Sequence, residues 1–317
     1  MRVLLTGGTG YLGRAIAAAL ARSGHETIVF ARSASAAVRE GVPGRAIDGD
    51  VRDAAALHRA ASGCDAICHS AALVSVWRQR RDEFDAVNVG GLRNAIAAAT
   101  AHGIRRFVYT SSFLALPPSD APQPPNGNDY QRTKLAAERV AEEAVAGGVP
   151  LVRMYPGVVY GPGRATAGNL VGRFISDHLR GRLPGVIGGD RIWSFAYIDD
   201  VARAHVAALE RGTPGATYPV GGENAPQIRP FEMLRERTGR PLPRRIPVAL
   251  ALVIGALEEL RAAVTGATPL LTRGTVLVLR HDWAMDSAPA VRDLDYRVTP
   301  LATGMAATID SLAAADR

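Results

Sequence analysis

The sequence predicts an α/β fold, a doubly wound parallel sheet followed by a smaller, mainly helical C-terminal lobe. Three observations lead there. The first half alternates short apolar, β-branched runs with Ala-rich stretches of helical period, the rhythm of successive βαβ units. The first run, Arg2–Thr6, passes directly into Gly7-Gly8-Thr9-Gly10-Tyr11-Leu12-Gly13, a glycine-rich turn opening a helix. Beyond Pro156 the alternation breaks, and Gly and Pro punctuate the segments that follow.

Taken in order, strands are expected at Arg2–Thr6, Thr27–Ala31, Arg45–Ile47, Ala66–His69, Phe107–Thr110 and Leu151–Met154. Helical patterns lie near Tyr11–Ser23, Ala54–Ala61, Glu83–His102 and Tyr130–Ala146. The Pro-rich, polar segment Pro117–Asn128 reads as a surface loop. Farther on, glycine-rich loops surround Asn169–Arg180, a strand at Ile192–Ile198 leads into a helix over Asp199–Glu210, and Thr217–Val220 forms another strand. From Glu223 the pattern is mainly helical. The expected division is a dinucleotide-binding domain over residues 1–155, with 190–220 returning to it, and a substrate lobe built from 156–189 and 221–317.

Composition narrows the function classes. The 317 residues are 47% hydrophobic and 21% charged, an ordinary globular balance. The net charge of +7 comes from scattered arginines. Its densest clusters, Arg78 with Arg80 and Arg81, Arg235 with Arg237, and Arg244 with Arg245, lack interleaved aromatics, so no nucleic-acid partner is expected. Met1 leads within two residues into a strand-like run instead of a secretory leader. The longest apolar run, Ile246–Leu257, contains Pro247 and Gly255 and falls short of the ~20 residues of a membrane span. Cys64 and Cys68 sit at the start of a strand, where four residues cover about 13 Å, too far for a disulfide. They are expected to be buried thiols in a reducing, cytoplasmic setting, and two lone cysteines do not make a metal site.

Gly7, Gly10 and Gly13 have the spacing of a Rossmann-type phosphate turn. The first makes the tight turn, the second lets backbone approach a pyrophosphate, the third lets helix pack on strand, and the helix N-terminus faces the anion. The second strand ends in Ala31-Arg32-Ser33 without an acid. An acid there would bond a ribose 2′-hydroxyl, whereas arginine accommodates a 2′-phosphate. Arg32 therefore favours NADP over NAD, the other reading being a solvated surface residue. A carboxylate within Asp48–Asp53 is placed to receive an adenine amino group.

Of the 37 Lys and Arg residues, only Lys134 is lysine. It follows Tyr130 by one helical turn, on the same face. A tyrosine with an ordinary pKa near 10 is a poor base; a cation on its face favours the phenolate. Upstream, Thr110-Ser111-Ser112 ends a strand at the sheet edge where ligands sit, and a serine there can polarise a carbonyl. One of the two serines is expected only to cap the strand.

With TGGTGYLG, GDVRD at Gly49–Asp53, HSAALVSVW at His69–Trp77, NVGG at Asn88–Gly91, YTSS at Tyr109–Ser112, YQRTK at Tyr130–Lys134, YPGVVYGPG at Tyr155–Gly163 and SFAYIDDVARAH at Ser194–His205, the chain resembles an extended short-chain dehydrogenase/reductase. That superfamily includes sugar-nucleotide epimerases and dihydroflavonol reductases. The resemblance covers essentially the whole chain and implies Tyr130 as acid–base, Lys134 as nicotinamide-ribose ligand lowering the Tyr130 pKa, and Ser112 as carbonyl-orienting serine. Asn88 fits a structural or proton-relay asparagine, with helix packing as the other reading. Thr9, Tyr11, Leu12, Asp50, Val51, Ser70, Ala71, Ala72, Tyr155, Pro156, Gly157, Val158 and Val159 would line the dinucleotide.

Similar dehydratases follow the serine with an Asp-Glu pair. Here Ser112 precedes Phe113-Leu114-Ala115-Leu116, so elimination lacks its carboxylates. With Trp77, Val159, Tyr160, Trp193 and Phe195, that run predicts an apolar pocket, because each unpaired buried polar group costs about 1–3 kcal/mol. Residues Arg182–Gly185 through Gly221–Ala225 also resemble a plant-type branch that includes a farnesol dehydrogenase. The expectation is NADP(H)-linked interconversion of an alcohol and a carbonyl on an apolar small molecule, by a monomer or homodimer. The alternatives are a nucleotide-sugar epimerase with tightly held NAD and Arg191 on a diphosphate, and a non-catalytic dinucleotide sensor, a class that typically lacks the Tyr–Lys pair.

Overall fold

The computed structural model describes residues 1–315 except Asn126 and Arg164. Asn126 of the Pro117–Asn128 loop, and residues 316 and 317 of the C-terminal lobe segment, lie outside the described residues. The chain runs β1 (Arg2–Thr6), α1 (Tyr11–Arg22), β2 (Glu26–Ala31), α2 (Ala34–Arg39), β3 (Arg45–Asp48), α3 (Ala54–Ala61) and β4 (Ala66–His69). It continues with α4 (Asp82–Phe84), a π-helical turn (Asp85–Gly90), α5 (Gly91–Ala101), β5 (Arg106–Thr110), α6 (Asp129–Ala146), β6 (Leu151–Pro156) and β7 (Val158–Tyr160). The remainder is α7 (Leu170–Leu179), β8 (Val186–Ile187), β9 (Ile192–Tyr197), α8 (Ile198–Arg211), β10 (Thr217–Val220), β11 (Glu223–Pro226), α9 (Arg229–Thr238), β12 (Arg245–Ile246), α10 (Val248–Thr265), α11 (Arg273–Leu279), α12 (Ala288–Leu294) and α13 (Leu301–Ala315).

Seven strands form one sheet in the order β10-β6-β5-β4-β1-β2-β3, and every pairing in it is parallel. Parallel strands need crossovers, and helices cover both faces, which is why the strands read as continuous apolar runs. Side chains alternate between the two faces. Val3 and Leu5 enter one core with Ile16 and Leu20 of α1 and Val201 and Leu209 of α8. Leu4 enters the other with Leu57 of α3, Leu92 of α5 and Ala137 of α6. Small residues at Ala17, Ala95, Ala98, Ala137 and Ala141 let the helices lie close to the sheet. A third core joins Val158, Tyr160, Ile175, Phe195, Phe231 and Met305 under the second lobe.

In the second half the chain leaves the main sheet and rejoins it. α8 and β10 return to the main sheet, but β9 pairs with β7 and β11 in a separate three-stranded sheet. The reason is its apolar face: Phe195 packs with Val158 and Tyr160 in the third core. Conversely α12, expected in the substrate lobe, places Ala290 and Leu294 in the core under α8. The region after Glu223 is mainly helical, as expected, with β11 and the short β12 pairing with β9 and β8. The helix expected over Glu83–His102 contains the π-helical turn, an insertion often found at functional sites.

Candidate active site

Strand order reverses between β1 and β4, the point where open α/β sheets hold ligands at the carboxyl ends of their strands. There Gly7 adopts a positive φ of 73°. A Cβ built on Gly7 would meet Ala71 backbone at 2.7 Å, and one on Gly13 would meet the Gly7 oxygen at 2.1 Å. The turn closes through Gly10 N donating to Gly7 O at 3.0 Å. α1 begins without a side-chain cap, so its first N–H groups stay open to an anion. This cradle, which no larger residue fits, suits a dinucleotide pyrophosphate. Thr9, Gly10, Tyr11, Leu12 and Gly13 line a cleft of about 2240 Å³. Arg32, exposed at the end of β2, lines it too, as do Asp50, Val51, Ser70, Ala71 and Ala72. Asp50 pairs with Arg52 at 2.7 Å, and that bond holds its carboxyl below the usual range.

Ser112, Tyr130 and Lys134 line the same cleft. Ser112 is buried, accepts Leu114 N at 3.2 Å, and its hydroxyl acts on the Tyr130 phenol. Lys134 is 2% exposed; its Nζ donates to Thr110 O at 2.8 Å and lies 5.9 Å from the Tyr130 ring centroid. Burial opposes the expected lowering of Tyr130 by Lys134. Burial pushes Tyr130 up to about 12, with Ser112 acting the other way. Burial likewise brings Lys134 down to about 8, opposed by Glu138. The ammonium is turned to a carbonyl, and desolvation of the phenol dominates.

Asn88 sits in the π-helical turn, buried. Its Oδ1 accepts Leu73 N at 2.7 Å and its Nδ2 donates to Thr133 Oγ1 at 2.9 Å. It ties the loop after β4 to α6, the helix that carries Tyr130. Asn88→Ala strands the Leu73 N–H, and the expected cost is about 1–3 kcal/mol in urea unfolding. A change below the error of that measurement would show the bonds to be dispensable.

The sequence reading missed Glu138. Tyr130, Lys134 and Glu138 follow one another at one-turn spacing on α6, and that spacing was the available signal. Glu138 is buried and accepts from Ser111 Oγ and from Tyr155 Oη, the latter at 2.6 Å. This separates the two serines: Ser111 is engaged by Glu138, while Ser112 adjoins Tyr130. It also turns the Tyr155 side chain away from the cleft, whereas Pro156, Gly157, Val158 and Val159 line it.

Of the expected pocket residues, Phe113, Val159 and Trp193 line the cleft. Tyr160 does not; it is fully buried, edge-on to Phe195 at 6.3 Å, in the third core. Trp77 does not either, its backbone being bonded to Ser75 Oγ instead. Phe174, Val186, Ile254, Leu270 and Leu279 line it unforeseen, because they come from segments distant in sequence. Arg191 lies outside the lining, within 3.7 Å of Asp120 and 3.8 Å of Asp282; Arg173 and Arg182 are among the arginines that line the cleft. Cys64 and Cys68 are free and buried. Among the described residues no group of three His, Cys, Asp or Glu side chains could hold a metal, and no helix is long and apolar enough to cross a membrane.

A seven-stranded Rossmann-type sheet with a glycine cradle and a Tyr–Lys pair at its edge defines a dinucleotide-binding protein of the extended short-chain dehydrogenase/reductase type. The chain belongs to the NAD dependent epimerase/dehydratase family, whose sequence profile matches residues 3–221. It is 33% identical to a 2-alkyl-3-oxoalkanoate reductase of Stenotrophomonas maltophilia, over 93% of this chain and 94% of that one. It is 32% identical to sterol demethylase protein B of Methylococcus capsulatus, over 93% of each. Among solved structures, gox2253 superposes with a TM-score of 0.84 at 26% identity, covering 99% of this chain and 98% of that one. The UDP-glucose 4-epimerase of Thermotoga maritima, solved with UDP-glucose, shares the fold at TM-score 0.79 and 20% identity, with 100% of each chain covered. The protein is thus an NAD(P)-dependent enzyme of this superfamily.

Proposed function

We propose that the protein is an NADP(H)-dependent oxidoreductase interconverting an alcohol and a ketone or aldehyde on an apolar small molecule. The observation that carries this reading is the set of large apolar side chains in the cleft lining. Phe113, Val158, Phe174, Val186, Trp193 and Leu279 line the cleft together with the Ser112 and Tyr130 hydroxyls, and burying apolar surface there favours an apolar ligand at roughly 25 cal/mol per Å². The two relatives named above are called after a 2-alkyl-3-oxoalkanoate and a sterol, both largely hydrocarbon, which supports the same class.

The glycine cradle would hold the pyrophosphate, Arg32 the 2′-phosphate and Lys134 the nicotinamide ribose. When bound, the nicotinamide supplies or accepts the hydride. In the reductive direction the Ser112 and Tyr130 hydroxyls bond the carbonyl oxygen, and Tyr130 gives up its proton to that oxygen. Because burial keeps Tyr130 protonated at neutral pH, the phenol is already loaded as an acid. The Lys134 ammonium then stabilises the phenolate left behind.

The test is consumption of NADPH and NADH against apolar ketones, aldehydes and nucleotide sugars. Oxidation of NADPH with apolar carbonyls is expected. A nucleotide sugar interconverted without net NADPH use would replace this reading with the epimerase, with Arg173 and Arg182 as its diphosphate contacts. Arg32→Ser is expected to raise the KM for NADPH roughly tenfold or more, the worth of one charge-assisted hydrogen bond, leaving that for NADH near its original value. An unchanged NADPH KM would remove Arg32 from the cofactor site.

A further inference from the structure

The apolar run too short to span a bilayer reappears as β12 and the first half of α10, and α10 turns its large side chains outward. Its buried residues are Ala251, Gly255 and Ala262. Leu250, Val253, Leu257, Leu260 and Val264 recur at alternating steps of three and four, so they share one face, and all are exposed, Leu257 to 62% and Val264 to 80%. Leu270, just beyond the helix, is 87% exposed. The ionisable residues of α10, Glu258, Glu259 and Arg261, are tied up in ion pairs, Glu258 with Arg261 and Glu259 with Arg273, each at 2.8 Å. A surface helix ordinarily shows the reverse pattern.

Two further observations bear on what covers this face. Ile254 and Leu270 are both exposed and both line the cleft, so the apolar stripe runs into the cleft mouth. Exposed arginines neighbour it in sequence: Arg244 and Arg245 lead into α10 and Arg273 follows it, with Arg245 and Arg273 ion-paired to Asp190 and Glu259 at 2.7 and 2.8 Å. Arg78, Arg80 and Arg81 flank Gln79, whose side chain reaches Gly266 at the helix end; Arg80 and Arg81 are paired with Asp82 and Asp129 at 2.9 and 2.7 Å. We propose that α10 and Leu270 dock the protein on an anionic lipid bilayer. The leucines and valines enter the acyl boundary, and the exposed Arg78 and Arg244 lie among the headgroups. A second copy of the chain on the same stripe would cover Ile254 and Leu270 and close the cleft mouth, whereas a bilayer delivers an apolar substrate through it. The delivery half rests on the apolar-substrate reading; the docking half does not.

The experiment is flotation of the full chain with vesicles of phosphatidylcholine and phosphatidylglycerol, alongside sedimentation equilibrium without lipid. The chain is expected to float with the vesicles. The double variant Leu257→Glu/Leu260→Glu is expected to lose at least about tenfold in partition while its circular dichroism and Tm stay unchanged, since both residues are exposed and neither lines the cleft. Failure to float, equal flotation of the double variant, or a lipid-free dimer that the double variant dissociates would each overturn docking. NADPH turnover is read separately, so a failed catalytic reading leaves the vesicle result intact.

Discussion

Tyr130→Phe should lower kcat by about a thousandfold, the usual size of a lost general acid, with dinucleotide affinity nearly unchanged. The substitution removes one oxygen and leaves a ring of the same shape in a fully desolvated site. Ser112 can still bond a carbonyl oxygen but has no comparable proton to give. Single-turnover measurement at saturating NADPH isolates the step, and turnover within about threefold of the parent would assign proton delivery elsewhere. The parent's own pH profile adds a second reading. Tyr130, held at about 12, stays protonated throughout the accessible range. Lys134 is charged below about 8 and loses its proton above it, so reductive activity is expected to fall as pH rises through 8, not as it drops below.

Gly13→Ala should weaken dinucleotide binding by about a hundredfold or more. The added methyl would sit 2.1 Å from the Gly7 oxygen and 2.8 Å from the Gly7 carbonyl carbon, both backbone atoms. No rotamer change relieves such a contact, so either the first turn of α1 or the Gly7 turn must move. Either shift displaces the N–H groups that would face the pyrophosphate, and shifts of about 1 Å in such sites are costly. Titration of NADPH by fluorescence, with Tm recorded on the same samples, separates lost binding from lost folding. A Gly13→Ala protein that binds NADPH normally would show the turn to be more adaptable than its packing implies.

Much of this was legible along the chain because its signals are local. β1 followed by Gly7, Gly10 and Gly13 is a contiguous strand–turn–helix, and Tyr130 with Lys134 is one turn of one helix. The identity of a single cation in a chain otherwise supplied with arginine pointed to the same place. What escaped the reading depends on partners far apart in sequence. The roles of Ser111 and Ser112 differ only because Glu138, on another element, accepts from the first. Tyr160 reads like a pocket aromatic but faces Phe195 and Tyr197 in the third core. The strand β9 reads as a return to the main sheet and instead pairs with β7 and β11.

By itself the sequence determined the parallel sheet, the phosphate turn and the Tyr130–Lys134 pair, since strand period, glycine stereochemistry and helical spacing act over a few residues. Only the tertiary structure decided the electrostatics and the boundaries of the site. Burial, which depends on every neighbour, raised Tyr130 and lowered Lys134; the convergence of α7, α10 and α11 on the cleft brought Phe174, Ile254, Val278 and Leu279 to its wall. The same packing left the stripe on α10 uncovered, because whether a leucine is core or surface is settled by what lies opposite it.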